Sequence, residues 1–143
     1  MEVDLSALLS ERQVLILRVL FDTLIPPDDY AGAWEAGSGN YLARQLQGDL
    51  ADQLGLYRRG LDALDAEAQF RHGMAFAALD EVARNGLLAQ IEQGHTAIDW
   101  PIDAAAFFGA ACQHAAEGYY SDPGNGGNRD QVAWGMIGFE VKG

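Results

Sequence analysis

Apolar residues recur at spacings of three and four along most of this chain, and alternating runs of Val, Ile or Thr are absent. That periodicity belongs to amphipathic helices, because a half-buried strand needs a period of two. Val14, Leu17, Phe21 and Leu24 mark one face, and Leu42, Leu46, Leu50 and Leu54 a second. Tyr57, Leu61, Leu64 and Ala68 mark a third, Leu87, Leu88 and Ile91 a fourth, and Phe107, Phe108, Ala111 and Ala115 a fifth. Leu, Ala, Gln and Arg, all good helix formers, dominate these segments. The expectation is an all-α, single-domain helical bundle of about five helices over residues 1–143, with no internal repeat and no linker.

Local signals set the expected boundaries. Ser10 followed by Gln13 makes a capping box, in which each side chain satisfies the other's exposed backbone N–H. Ile25-Pro26-Pro27 ends the first helix, since proline lacks the donor and restricts the residue before it. Residues 28–40 read as a loop around Trp34. Gly55 and Gly73 read as C-terminal caps of the second and third helices. Asp80 caps the fourth, which stops at Gly94, and Asp103 caps the fifth after Pro101. From Gly118 the composition changes, with four glycines, two tyrosines and a proline in residues 118–129. No regular element is expected there, before a short helical turn from Asp130 to Ile137.

Composition narrows the function. Apolar residues make up 49% of the 143, enough for a core without disulfides, and the single Cys112 has no partner in its own chain. Nine Lys and Arg against 21 Asp and Glu give a net charge of -12. Binding to nucleic acid or to an anionic membrane surface needs a basic stripe, which is missing. No run approaches the roughly 18 apolar residues of a membrane span. Met-Glu-Val-Asp at the N-terminus has no basic n-region, and Arg58-Arg59 is a twin arginine in spelling only.

Chemistry-bearing clusters are weak. His114 and Glu117, three apart, would face one ligand on a helix, with Asp122 as a third, but a metal site usually wants three or four convergent ligands and a supporting shell. Solvated or capping histidines are the expected reading, with His72 and His95 at helix ends. Asp122, Asn125, Asn128 and Asp130 do not match an EF-hand, since glycines stand at the third and fifth positions and no glutamate closes the loop. Gly124 to Arg129 lacks the Lys-Ser/Thr of a phosphate loop. Cys112 is expected as a small buried hydrophobe beside Phe108. The unusual part is the C-terminal third, where aromatics and Arg gather on a glycine-rich turn, as interface hot spots do, and composition equally allows that these rings simply cap the helical core.

Phe107-Phe108, then Glu117-Gly118-Tyr119-Tyr120-Ser121-Asp122-Pro123, Gly126-Gly127-Asn128-Arg129-Asp130 and Trp134-Gly135-Met136-Ile137-Gly138-Phe139 resemble the C-terminal signature of the gluconate 2-dehydrogenase subunit 3 family. Leu20 to Pro26 resembles that family's first helix and its proline stop, so the likeness runs from about Arg12 to Phe139. The resemblance implies a non-catalytic accessory subunit without a cofactor of its own. Its partner would be a large FAD-dependent flavoprotein of the glucose-methanol-choline type (GMC) that oxidises a sugar or sugar acid, in many members with a cytochrome c subunit.

Carried over by position, the implied docking segment is 118–139, with Tyr119, Tyr120, Asp122, Pro123, Gly126, Gly127, Asn128, Arg129 and Trp134. No catalytic, cofactor or metal residue is implied in this chain. Two departures stand out: the twin-arginine export signal of many members is missing, and Phe139 is followed by Glu140-Val141-Lys142-Gly143 where members tend to have proline and glycine. The expected location is cytoplasmic as written, or periplasmic if a signal was removed or the partner is exported. A stand-alone carbohydrate- or metal-binding module using residues 119–130 is the alternative, with Tyr119, Tyr120 and Trp134 as stacking platforms. A hydrolase using His114 and Glu117 is a weaker third.

Overall fold

The computed structural model describes residues 5–27, 32–48 and 50–121. Among them there are five α-helices and no strand: α1 (Glu11–Leu24), α2 (Ser38–Gln47), α3 (Leu54–His72), α4 (Glu81–Glu92) and α5 (Ala104–Ser121). Short 3-10 turns at Leu5–Ala7, Ala51–Gln53 and Phe76–Ala78 link or precede them. The expected turn at Asp130 to Ile137 lies outside the described residues.

The start signals of α1, α4 and α5 and the stop signals of α1 and α3 operate as read. Ser10 accepts from the Gln13 N–H while the Gln13 side chain accepts from the Ser10 N–H, closing the capping box on α1. α1 stops at Leu24 before the proline pair. Asp80 Oδ1 accepts from Ala83 N and Asp103 Oδ1 from Ala106 N, capping α4 and α5. Gly73 terminates α3.

Three expectations fail. Residues 38–40 are helical: Gly37 adopts a left-handed conformation at φ 103°, which lets the chain turn into α2 without a side-chain cap. Gly55 lies inside α3 and caps nothing; α2 already ends at Gln47, and the 3-10 turn at Ala51–Gln53 leads directly into α3. Finally, α5 continues through Gly118 to Ser121, where loss of regular structure was expected.

α5 packs against all four other helices. Its buried stripe, Ala104, Phe107, Ala111, Ala115 and Tyr119, follows helical spacing, and the alanines let neighbouring helices close in. Phe107 sits edge-on to Tyr57, with centroids 5.9 Å apart at 74°, and also meets Trp100. Such a pair adds about 0.5–1.5 kcal/mol beyond the area it buries. Gly60 makes room for it, since a Cβ there would lie 2.3 Å from Phe107 Cδ1.

Two buried acids tie connecting segments to α3. Asp65 accepts from Phe76 N at 2.8 Å and from Arg12 at 2.9 Å, linking α3 to α1 and to the 3-10 turn at Phe76–Ala78. Fully buried Glu67 accepts from Arg71, Ala97 N, Ile98 N and Trp100 Nε1, which fastens the α4–α5 connection. Burial alone would push the Glu67 carboxyl up; the Arg71 guanidinium and these N–H donors outweigh it and hold it below its ordinary value.

Candidate functional site

The implied docking segment begins where α5 passes α2, and two polar contacts fix that crossing. Ser38, first residue of α2 and fully buried, donates through Oγ to the Ala115 carbonyl at 2.9 Å. One turn later, Tyr41 donates its hydroxyl proton to Glu117 Oε1 at 2.9 Å. Gln113 Nε2 donates to the other oxygen, Oε2, at 2.9 Å, so both carboxylate oxygens are engaged. Gly118 permits the close approach: a Cβ on it would stand 2.8 Å from Ser38 Cα and 3.0 Å from Tyr41 Cβ.

Beneath this crossing lies a buried polar pair. His114 is 3% exposed, and its Nδ1 meets the hydroxyl of fully buried Tyr57 at 2.7 Å. Burial holds the His114 imidazole below its ordinary pKa, against the opposing pull of Glu117. Burial likewise pushes Tyr57 well above the ordinary tyrosine value, with Cys112 and Glu117 adding to the rise. Both groups are therefore neutral near pH 7.

This arrangement corrects the expected roles of the fifth helix. His114 is neither solvated nor capping but a core residue, and Glu117 spends its oxygens on Tyr41 and Gln113, so the two do not converge on a shared ligand. Among the described residues, no group of three or more His, Cys, Asp or Glu could hold a metal ion. A hydrolase using His114 lacks an exposed base. Cys112 is half-buried and not a fully buried hydrophobe. His72 and His95 are exposed at helix ends, as expected.

Of the nine implied docking residues, Tyr119 and Tyr120 are described. Tyr119 is 2% exposed and belongs to the core; Tyr120 is half-buried and meets it edge-on at 5.8 Å and 82°. A stacking platform needs an open ring face, which a buried Tyr119 does not offer. Asp122, Pro123, Gly126, Gly127, Asn128, Arg129 and Trp134 lie outside the described residues.

Sequence reasoning missed Ser38, Tyr41, Asp65 and Glu67. For Glu67 a signal existed: it stands three after Leu64, on the stripe shared by Leu61 and Ala68, so its helical phase already pointed inward. Tyr41 and Ser38 act across 76 and 77 residues of sequence, and no local pattern marks them.

A family model described as gluconate 2-dehydrogenase subunit 3 matches residues 11–142, nearly the whole chain. No curated protein and no solved structure matches.

Proposed function

The chain belongs to the gluconate 2-dehydrogenase subunit 3 family, and we propose that it serves as a non-catalytic accessory subunit of a large FAD-dependent, GMC-type oxidoreductase acting on a sugar or sugar acid. Membership of a subunit family implies partner subunits. The observation that carries the finer reading is the reach of the family match, which runs through residue 142 and so takes in the whole of segment 118–139.

The internal chemistry is consistent with that role. Buried polar groups at the α2–α5 crossing and on α3 are engaged with one another: His114 with Tyr57, Ser38 with Ala115, and Glu67 with Arg71 and the α4–α5 connection. A flavin dinucleotide is usually held by a strand, a glycine-rich turn and a helix N-terminus, and the described residues include no strand. A surface cleft of about 400 Å³ between α1 and α4 is lined by Arg18, Asp22, Glu81 and Arg84. Val19, Pro26, Pro27 and Ala77 complete its wall, so the lining mixes charged and apolar groups. In this reading FAD and the oxidation reside in the partner, and a cytochrome c is the further subunit in complexes that pass electrons onward.

In this role segment 118–139 docks on the flavoprotein, starting from an α5 whose last turns are already fixed by α2. The subunit stabilises its partner and helps it mature, or completes the substrate entrance. Co-expression tests it: the flavoprotein produced with this chain should accumulate as folded, FAD-loaded enzyme at several times the yield obtained without it. Equal yield and equal flavin content in both cases would contradict the reading.

A further inference from the structure

Four charged side chains line the cleft of about 400 Å³ between α1 and α4, and each helix contributes one of each sign. Arg18 and Asp22 stand one turn apart on α1, and Glu81 and Arg84 one turn apart on α4. Side chains at those spacings are neighbours on a helix and can close into ion pairs. Here they do not: among the described residues the ion pairs join Arg12 to Asp62 and Asp65, and Arg71 to Glu67.

Bracing holds two of the four in place. Arg84 Nε donates to Thr23 Oγ1 at 2.9 Å and Nη1 donates to the Leu79 carbonyl, while Thr23 Oγ1 donates in turn to the Val19 carbonyl at 2.6 Å. This chain fastens the guanidinium between the two helices and leaves Nη2 without a hydrogen bond among the described residues. Asp22 Oδ1 accepts from Trp34 N at 3.0 Å, which ties the carboxylate to the segment before α2. Burial raises the Asp22 carboxyl above its ordinary value, against the pull of that N–H and of Arg18, so its charged form gains from a further donor.

We propose that this cleft binds a small carboxylic acid that carries hydrogen-bond donors beside its carboxylate. The guanidinium groups of Arg18 and Arg84 take the carboxylate, which their planar forks suit. Asp22 and Glu81 accept from the neighbouring hydroxyls or ammonium, and Val19 and Ala77 meet the carbon chain. A few placed polar groups on a partly apolar wall of this volume are the usual make-up of a small-ligand site. Because Arg84 and Asp22 are already held, binding has little ordering to do. The site lies within this chain and does not rest on the docking reading above.

The test titrates the isotope-labelled full chain by NMR. D-Gluconate supplies a carboxylate with hydroxyl donors, L-alanine a carboxylate with an ammonium, acetate the carboxylate alone and D-glucose hydroxyls alone. Gluconate or alanine should shift the amides of residues 18–24 and 81–85 and saturate with a Kd of about 1 mM, modest because the cleft is open. Acetate and glucose should bind about tenfold more weakly, and the tighter of the first two tells hydroxyl donors from ammonium. Arg18 is exposed and has no hydrogen bond or ion pair among the described residues. Arg18→Gln should therefore weaken the better probe about tenfold, the scale of one charge-assisted hydrogen bond, with Tm unchanged. Arg84→Lys, which keeps the charge and loses the fork, should weaken it as well. Three results would each overturn the proposal: no shift at about 10 mM of any probe, acetate or glucose binding as tightly as gluconate and alanine, or unchanged affinity in Arg18→Gln. None of them bears on the docking reading.

Discussion

The Tyr57 hydroxyl and His114 Nδ1 meet at 2.7 Å inside the α3–α5 contact, where both residues are almost fully buried. A histidine held there below its ordinary pKa makes stability depend on pH with a definite sign. As pH falls through about 6.5, the unfolded chain takes up a proton that the folded imidazole refuses, so stability declines on the acid side. Glu67, held below its ordinary value, contributes stability above about pH 4.5 that is lost as pH falls through its folded pKa. Thermal unfolding followed from pH 8 to pH 2 should show two successive losses. His114→Gln should abolish the upper one and leave the lower; an unchanged upper loss would contradict the assignment.

Glu67→Ala tests the fastening of the α4–α5 connection. It leaves the Ala97 N–H and Trp100 Nε1 without their acceptor and Arg71 without its ion pair. A loss of about 3 kcal/mol is expected, typical of breaking a buried charged network. Trp100 fluorescence in the native variant should shift to the red as the indole gains water. An unmoved spectrum with wild-type Tm would refute the fastening role.

Glycine substitutions should differ in sign. Gly60→Ala places a Cβ 2.3 Å from the buried Phe107 ring, so about 1–3 kcal/mol of destabilisation is expected from overpacking. Gly86 lies in α4 with nothing within 4 Å of an added Cβ, and Gly86→Ala should stabilise by about 0.5–1 kcal/mol through helix propensity alone. Urea unfolding of the two variants beside wild type checks both signs at once.

Gly127→Val tests the proposed docking segment, since the resemblance places Gly127 among the residues that shape it. The substitution should weaken complex formation with the flavoprotein by at least tenfold while Tm of the chain alone moves by no more than a few degrees. Equal loss of both would count against docking.

Local rules were legible in the sequence wherever neighbouring residues suffice. The Ser10–Gln13 box, the stop at Pro26, the caps at Asp80 and Asp103 and the close at Gly73 each involve residues a few positions apart. What escaped reading depends on distant partners. Gly118 looks like a helix breaker by composition, yet α5 runs through it because the missing side chain lets Ser38 approach from α2. Gly55 looks like a cap and is instead an interior residue of a helix whose buried stripe runs on from Tyr57. The aromatic pair Tyr119–Tyr120, which composition left open between core-capping and docking rings, divides into one core and one half-buried residue once α5 continues.

The central claim is that this chain acts as a subunit of a flavoenzyme. Affinity purification of the chain from its native cells, read by a visible absorption spectrum and by mass spectrometry of the co-purifying proteins, tests it most directly. A flavin spectrum accompanying a large GMC-type oxidoreductase in fixed ratio is the predicted result, with haem bands added where a cytochrome c completes the complex. A colourless chain recovered alone would contradict it.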